Sequence, residues 1–110
     1  MKSGQRLTKP EQFTQVYNTG ISRADRLLVL KALPNQLEVS RFGISVSKRV
    51  GGAVVRNRVK RLIREILRLG NVDPGWDIVL IARSPAAGSD YHQLEESVKS
   101  LLSRAKIGAK

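Results

Sequence analysis

Between Lys48 and Arg68 the chain carries Lys48, Arg49, Arg56, Arg58, Lys60, Arg61, Arg64 and Arg68, against one acid, Glu65. Arginines do not trade protons at physiological pH, so a cluster like this gathers anions rather than performing acid–base chemistry. A planar guanidinium grips phosphate through two parallel N–H donors and stacks on nucleobases, which makes nucleic acid the partner these residue types fit. Winding Ala53 to Leu69 as a helix at about 100° per residue sharpens the reading. Val55, Val59, Leu62, Ile63, Ile66, Leu67 and Leu69 fall within an arc of roughly 160°. Arg56, Lys60, Arg64, Asn57, Arg68, Arg61 and Arg58 follow one another around the remainder. Arg61 and Arg64, like Arg64 and Arg68, are spaced to repel by a few tenths of a kcal/mol per pair. A single glutamate cannot relieve them, and phosphates are the natural counter-charges. A membrane-surface or calmodulin-target helix fits less well, because this one lies mid-chain and needs its apolar seam for its own domain.

A second group of residues suits a single strand of nucleic acid, which needs stacking platforms beside a positive groove. Phe13 and Tyr17 offer rings one helical turn apart. Gly43, Ser45 and Ser47 alternate with Phe42, Ile44 and Val46, so one strand face is small and polar enough for a nucleotide backbone to approach. Lys31 and Lys48 are the nearby cations. The alternative is that Phe13 and Tyr17 simply pin the first helix to a sheet, and spacing alone leaves both open. Elsewhere, His92 is placed in the first turn of the last helix and exposed. Trp76 caps the core, and Asp73 and Asp77 are turn and strand-start residues. No carboxylates or histidines gather into an acid/base or metal site, so no catalytic residue and no metal ligand is assigned to this chain.

These residues must be held by a small fold. The chain has 110 residues, net charge +11, 41% hydrophobic residues and no cysteine. One domain, 1–110, with a modest core follows, and disulfide scaffolds and thiolate chemistry are excluded. Residues 1–70 hold 15 basic and 4 acidic side chains, whereas residues 71–110 hold five of each. The charge is therefore concentrated on one region, as a polyanion-facing surface requires. No apolar run suggests a membrane span or a signal peptide, and a cytoplasmic location is expected.

The element pattern reads helix, two strands, helix, strand, helix: an α+β sandwich of helices on a small sheet. Thr8-Lys9-Pro10-Glu11 predicts a capping box opening a helix that runs to about Tyr17 or Asn18. Arg26 to Leu33 and the alternating Phe42 to Ser47 predict strands joined as an antiparallel hairpin across Pro34 to Ser40. Asp77 to Ala82, nearly continuous in apolar residues, predicts a strand buried on both faces. The arginine-rich helix closes at Gly70-Asn71. A last helix runs from about Asp90 to Lys106, with Asp90 as N-cap and Gln93 completing a capping box.

The stretch from Ser45 to Glu65, with Arg56-Asn57-Arg58 followed by Lys60, Arg61 and Arg64, resembles the signature of the bacterial ribonuclease P protein subunit. The likeness extends to the Phe13 and Tyr17 helix, to Asp25-Arg26 before a strand and to the Asp77–Arg83 segment, covering about residues 6 to 105. Such a resemblance implies an accessory subunit of a ribonucleoprotein endonuclease, a hydrolase whose catalyst is its RNA. That enzyme removes the 5′ leader of precursor tRNA, with Mg²⁺ held mainly by the RNA and no cofactor bound by the protein alone.

It further implies a mostly antiparallel sheet of four strands rather than three, in the order α-β-β-(β)-α-β-α, with a left-handed crossover helix. By position, Lys48, Arg49, Arg56, Asn57, Arg58, Lys60, Arg61, Arg64 and Arg68 become the surface for the catalytic RNA. Phe13, Tyr17, Lys31, Ser45 and Ser47 become a leader cleft. Where the family often has an aromatic, this chain has Lys31, so contact there is ionic. The implied partners are the catalytic RNA and precursor tRNA, with one protein monomer per RNA and no membrane. A ribosomal or other structural RNA-binding protein would share the charge and size without stimulating leader removal. A DNA-binding architectural protein would call for a dimer interface or a helix-turn-helix partner, and neither is visible.

Overall fold

The computed structural model describes residues 5–108. Along the chain run β1 (Gln5–Arg6), α1 (Pro10–Thr19), β2 (Ile21–Ala24), β3 (Leu28–Pro34), β4 (Arg41–Val46), α2 (Ala53–Leu69) and β5 (Trp76–Ala82). A 3-10 turn over Ser84–Gly88 then leads into α3 (Tyr91–Arg104). The strands form one sheet in the order β1-β4-β5-β3-β2.

Two expectations about pairing give way. β3 and β4 do not form a hairpin: β5 lies between them, antiparallel to β3 and parallel to β4. The reason is burial. Ile78 and Leu80 point to one face of β5 and Val79 to the other, and all three are fully buried, so this strand gains most from the central position. β4, with Gly43 and Ser45 on one side, can stand nearer the edge. The sheet is consequently mixed rather than mostly antiparallel, since β1 also joins β4 in parallel while β2 joins β3 antiparallel. The edge strands β1 and β2 were not legible, one being two residues long and the other exposed along its whole length. Helix α2 is the crossover between the parallel neighbours β4 and β5.

Register sorts the side chains into two layers. Leu28, Leu30 and Ala32 of β3, Ile78, Leu80 and Ala82 of β5, and Phe42 and Val46 of β4 share one face. They form the main core with Val59, Ile63, Ile66 and Leu67 of α2 and Leu94, Val98, Leu101 and Leu102 of α3. On the opposite face α1 covers a smaller cluster of Leu7, Val16 and Val79, flanked by Phe13, Leu33 and Ile81. α1 covers that face only in part, and Lys31, Leu33, Ser45 and Ile81 stay half-buried there, a partly exposed shelf of the sheet. Burying each leucine or isoleucine of these layers contributes roughly 1.5–3 kcal/mol.

The helix ends show the local logic. α3 starts as its sequence demands: Asp90 Oδ1 accepts from the Gln93 backbone N–H at 2.8 Å, and Gln93 Oε1 accepts from the Asp90 N–H at 3.0 Å. It ends at Arg104, a little short of the expected Lys106. α1 differs from expectation. Its N-cap is Lys9 rather than Thr8, and Gln12 rather than Glu11 reaches back, accepting from the N–H groups of Thr8 and Lys9 at 3.0 and 3.1 Å. Pro10 forces that shift, because it takes the first helical position, where no N–H is required. Leu69, placed in the apolar arc, is 61% exposed, since the buried seam of α2 ends two residues earlier at Leu67.

Candidate nucleic-acid interface

α2 is held by its apolar seam and turns its cations outward. Arg61, Arg64 and Arg68 are exposed along with Asn57, while Arg56, Arg58 and Lys60 are half-buried. Lys48 and Arg49 stand exposed in the turn between β4 and α2, which is closed by the Val50 N–H donating to the Ser47 carbonyl at 3.1 Å. The basic residues grouped by the sequence thus lie on α2 and the turn before it, but they are not equivalent.

Arg58 Nη2 donates to the Ser89 carbonyl at 2.6 Å, tying α2 to the residue just before the α3 N-cap. Part of its donor capacity is therefore committed to the fold. Arg68 is paired with Glu65, Nε to Oε1 at 3.2 Å, and this contact holds the Glu65 carboxyl below its ordinary value and raises the Arg68 guanidinium. Arg56 Nε is buried with no partner. Among the described residues, Lys60, Arg61 and Arg64 take part in no ion pair. Lys48 and Arg49 are likewise unpaired, so these five cations are free to meet an external anion.

The second group lies on the other side of the sheet. Phe13 and Tyr17 sit on α1 with ring centroids 6.5 Å apart and planes inclined at 54°. Tyr17 is 39% exposed, whereas Phe13 is half-buried against the smaller core cluster. Lys31 and Ser45 share that face, through their pairings with Val79 and Ile81 respectively, and both are half-buried. Two details depart from expectation. Gly43 is no open approach for a nucleotide backbone, because the Phe13 ring fills it: a Cβ there would stand 2.4 Å from Phe13 Cε1. Ser47 lies beyond the end of β4, exposed in the turn that leads to α2. Phe13 therefore packs on the sheet, as the pinning alternative expects, while Tyr17 keeps its ring exposed.

Trp76 is half-buried against the main core, and His92 is exposed with Nε2 3.4 Å from Glu96 Oε2. Asp77 does more than start a strand. It receives Arg41 through Nε and Nη2 at 2.8 and 2.7 Å, and Asn35 Nδ2 at 2.9 Å, an inter-strand ion pair. The pairing raises the Arg41 guanidinium further. Asp25 accepts from the N–H groups of Leu27 and Leu28 at 2.9 Å each and from Ser97 Oγ at 2.6 Å. Burial pushes its carboxyl up, but the Ser97 hydroxyl and the two backbone donors together bring it below the ordinary value. No sequence signal marks contacts spanning 36 and 72 residues.

Solved structures share this arrangement. An RNase P protein from Staphylococcus aureus superposes with TM-score 0.83 at 37% identity, covering 93% of this chain and 95% of that one. One from Thermotoga maritima gives TM-score 0.82 at 32% identity, covering 91% and 96%. A small basic α+β domain with an arginine-rich crossover helix thus takes its place among the protein components of ribonucleoproteins. The chain belongs to the Ribonuclease P family, whose model matches residues 1–106. Among similar proteins, the ribonuclease P protein component of Dehalococcoides mccartyi strain CBDB1 is 50% identical over all of this chain and 92% of its own length. That of Roseiflexus castenholzii is 47% identical over 97% and 90%.

Proposed function

We propose that this chain is the subunit through which ribonuclease P grips both its catalytic RNA and the 5′ leader of precursor tRNA, assisting endonucleolytic removal of that leader. The observation carrying this is the separation of two surfaces by one sheet. The α2 face, with Lys60, Arg61 and Arg64 free of ion pairs, docks on the catalytic RNA, supported by Lys48, Arg49, Arg56 and Asn57. The shelf beside α1, bordered by Tyr17, Phe13, Lys31, Ser45 and Ser47, receives the single-stranded leader.

Hydrolysis belongs to the RNA, which also holds the Mg²⁺; the protein raises local cation density and fixes the leader. One copy acts per RNA, in the cytoplasm. Reconstitution with a bacterial ribonuclease P RNA tests the reading. The protein should lower the Mg²⁺ needed for leader removal and favour precursor over mature tRNA. A protein that binds the RNA and leaves both quantities unchanged would be a structural RNA-binding protein instead.

A further inference from the structure

The two surfaces meet along the outer edge of β4. β1 pairs with β4 only at Arg41 and Phe42, and the Leu7 N–H closes on the Phe42 carbonyl at 2.9 Å. Among the described residues, no strand flanks that edge from Gly43 onward. A groove of about 540 Å³ opens there between the β4 edge and α2. Leu7, Phe42 and Ile44, with the Phe13 ring of α1 at one end, provide the apolar lining, and Lys60, Arg61 and Arg64 of α2 the cationic lining. This volume lies within the roughly 300–1,000 Å³ typical of sites for small organic ligands.

An apolar lining beside unpaired cations is complementary to a molecule with a flat hydrophobic part and an attached anion. A nucleotide is that molecule: its base covers the apolar lining while its phosphate meets the guanidinium groups. Glu65, the one acid lining the groove, is already paired with Arg68 and does not neutralise the other three cations. We propose that this groove seats one unpaired nucleotide of the catalytic RNA, base inward, so that α2 reads an extruded base as well as the backbone. The proposal rests on the reading of α2 as the docking face.

The test begins with the unaltered protein, titrated with adenosine 5′-monophosphate and, separately, with ribose 5-phosphate, followed by NMR. Base protons should show contacts to Phe42 and Ile44, and the nucleotide should bind more tightly than the baseless sugar phosphate. Equal binding of the two, with shifts confined to arginine side chains, overturns the groove as a nucleotide site.

A second arm measures affinity for ribonuclease P RNA, using Ile44→Trp to fill the groove and Arg61→Gln with Arg64→Gln to discharge its cationic lining. Filling the groove should weaken RNA binding about 10-fold, within the range for one lost base contact. If discharge weakens binding and filling does not, the docking face stands and the nucleotide pocket falls. If neither changes affinity, the docking reading itself falls. Melting temperatures of both variants establish that they are folded, and the titration of the unaltered protein decides the matter if Ile44→Trp does not fold.

Discussion

Replacing Tyr17 by alanine separates leader binding from fold stability more cleanly than any other single change. The Tyr17 ring is 39% exposed at the rim of α1, so its removal leaves little void and should cost about 1 kcal/mol of stability or less. The Phe13 ring instead fills the space over Gly43 and packs on the cluster of Leu7, Val16 and Val79. Phe13→Ala therefore opens a cavity and should cost about 3 kcal/mol or more. If Tyr17 stacks on a leader base, its loss should weaken precursor tRNA binding to the holoenzyme by about 1–3 kcal/mol, roughly 5- to 150-fold. Mature tRNA, which has no leader, should bind as before. The assay pairs thermal unfolding of each variant with equilibrium binding of precursor, leader-trimmed precursor and mature tRNA. Tyr17→Ala should show a selective loss that vanishes as the leader is trimmed, and Phe13→Ala a selective loss together with a lower Tm. Equal losses for precursor and mature tRNA with Tyr17→Ala would refute the stacking argument and leave α1 a purely structural helix.

Changing Arg56, Arg58, Lys60, Arg61 and Arg64 to glutamine together should flatten the slope of log affinity for the catalytic RNA against log salt. At roughly 0.7–0.9 per lost phosphate contact the change is several units, and an unchanged slope in a folded variant would remove α2 as the docking surface. Arg58 alone should instead lower Tm, because its guanidinium holds the Ser89 carbonyl, with little change in slope. Asp77→Ala should destabilise the fold by about 1–3 kcal/mol in denaturant unfolding, since Arg41, still partly open to solvent, and Asn35 both lose their acceptor. For Asp25 the folded pKa lies below the unfolded one, so its contribution is full at neutral pH and is lost as pH falls through the folded value. Asp25→Asn should therefore make stability less dependent on pH below about 4, and an unchanged acid limb in urea titrations would contradict the assignment.

Local order was written into the residues themselves. The period of Val59, Ile63, Ile66 and Leu67 against the intervening arginines made α2 and its charged face readable, because helical geometry follows from short-range spacing. Asp90 and Gln93 announced the start of α3 for the same reason, and the apolar run of Asp77 to Ala82 announced a strand with no solvent face. Which strands stand side by side is a different kind of fact. β5 enters between β3 and β4 because a strand apolar on both faces removes most apolar surface from water in the middle of a sheet, and that comparison exists only once all strands compete. Pairings across 36 and 72 residues, Arg41 with Asp77 and Asp25 with Ser97, leave no periodic trace. Tertiary structure alone also divided the cations of α2. Arg58 was drawn to the Ser89 carbonyl, and Lys60, Arg61 and Arg64 were set beside a groove that no single segment encodes, whereas the Arg68–Glu65 pair, three residues apart on one helix, follows from spacing alone. Charge and type belong to the sequence, whereas the availability of each charge depends on what the folded chain brings within hydrogen-bonding distance of it.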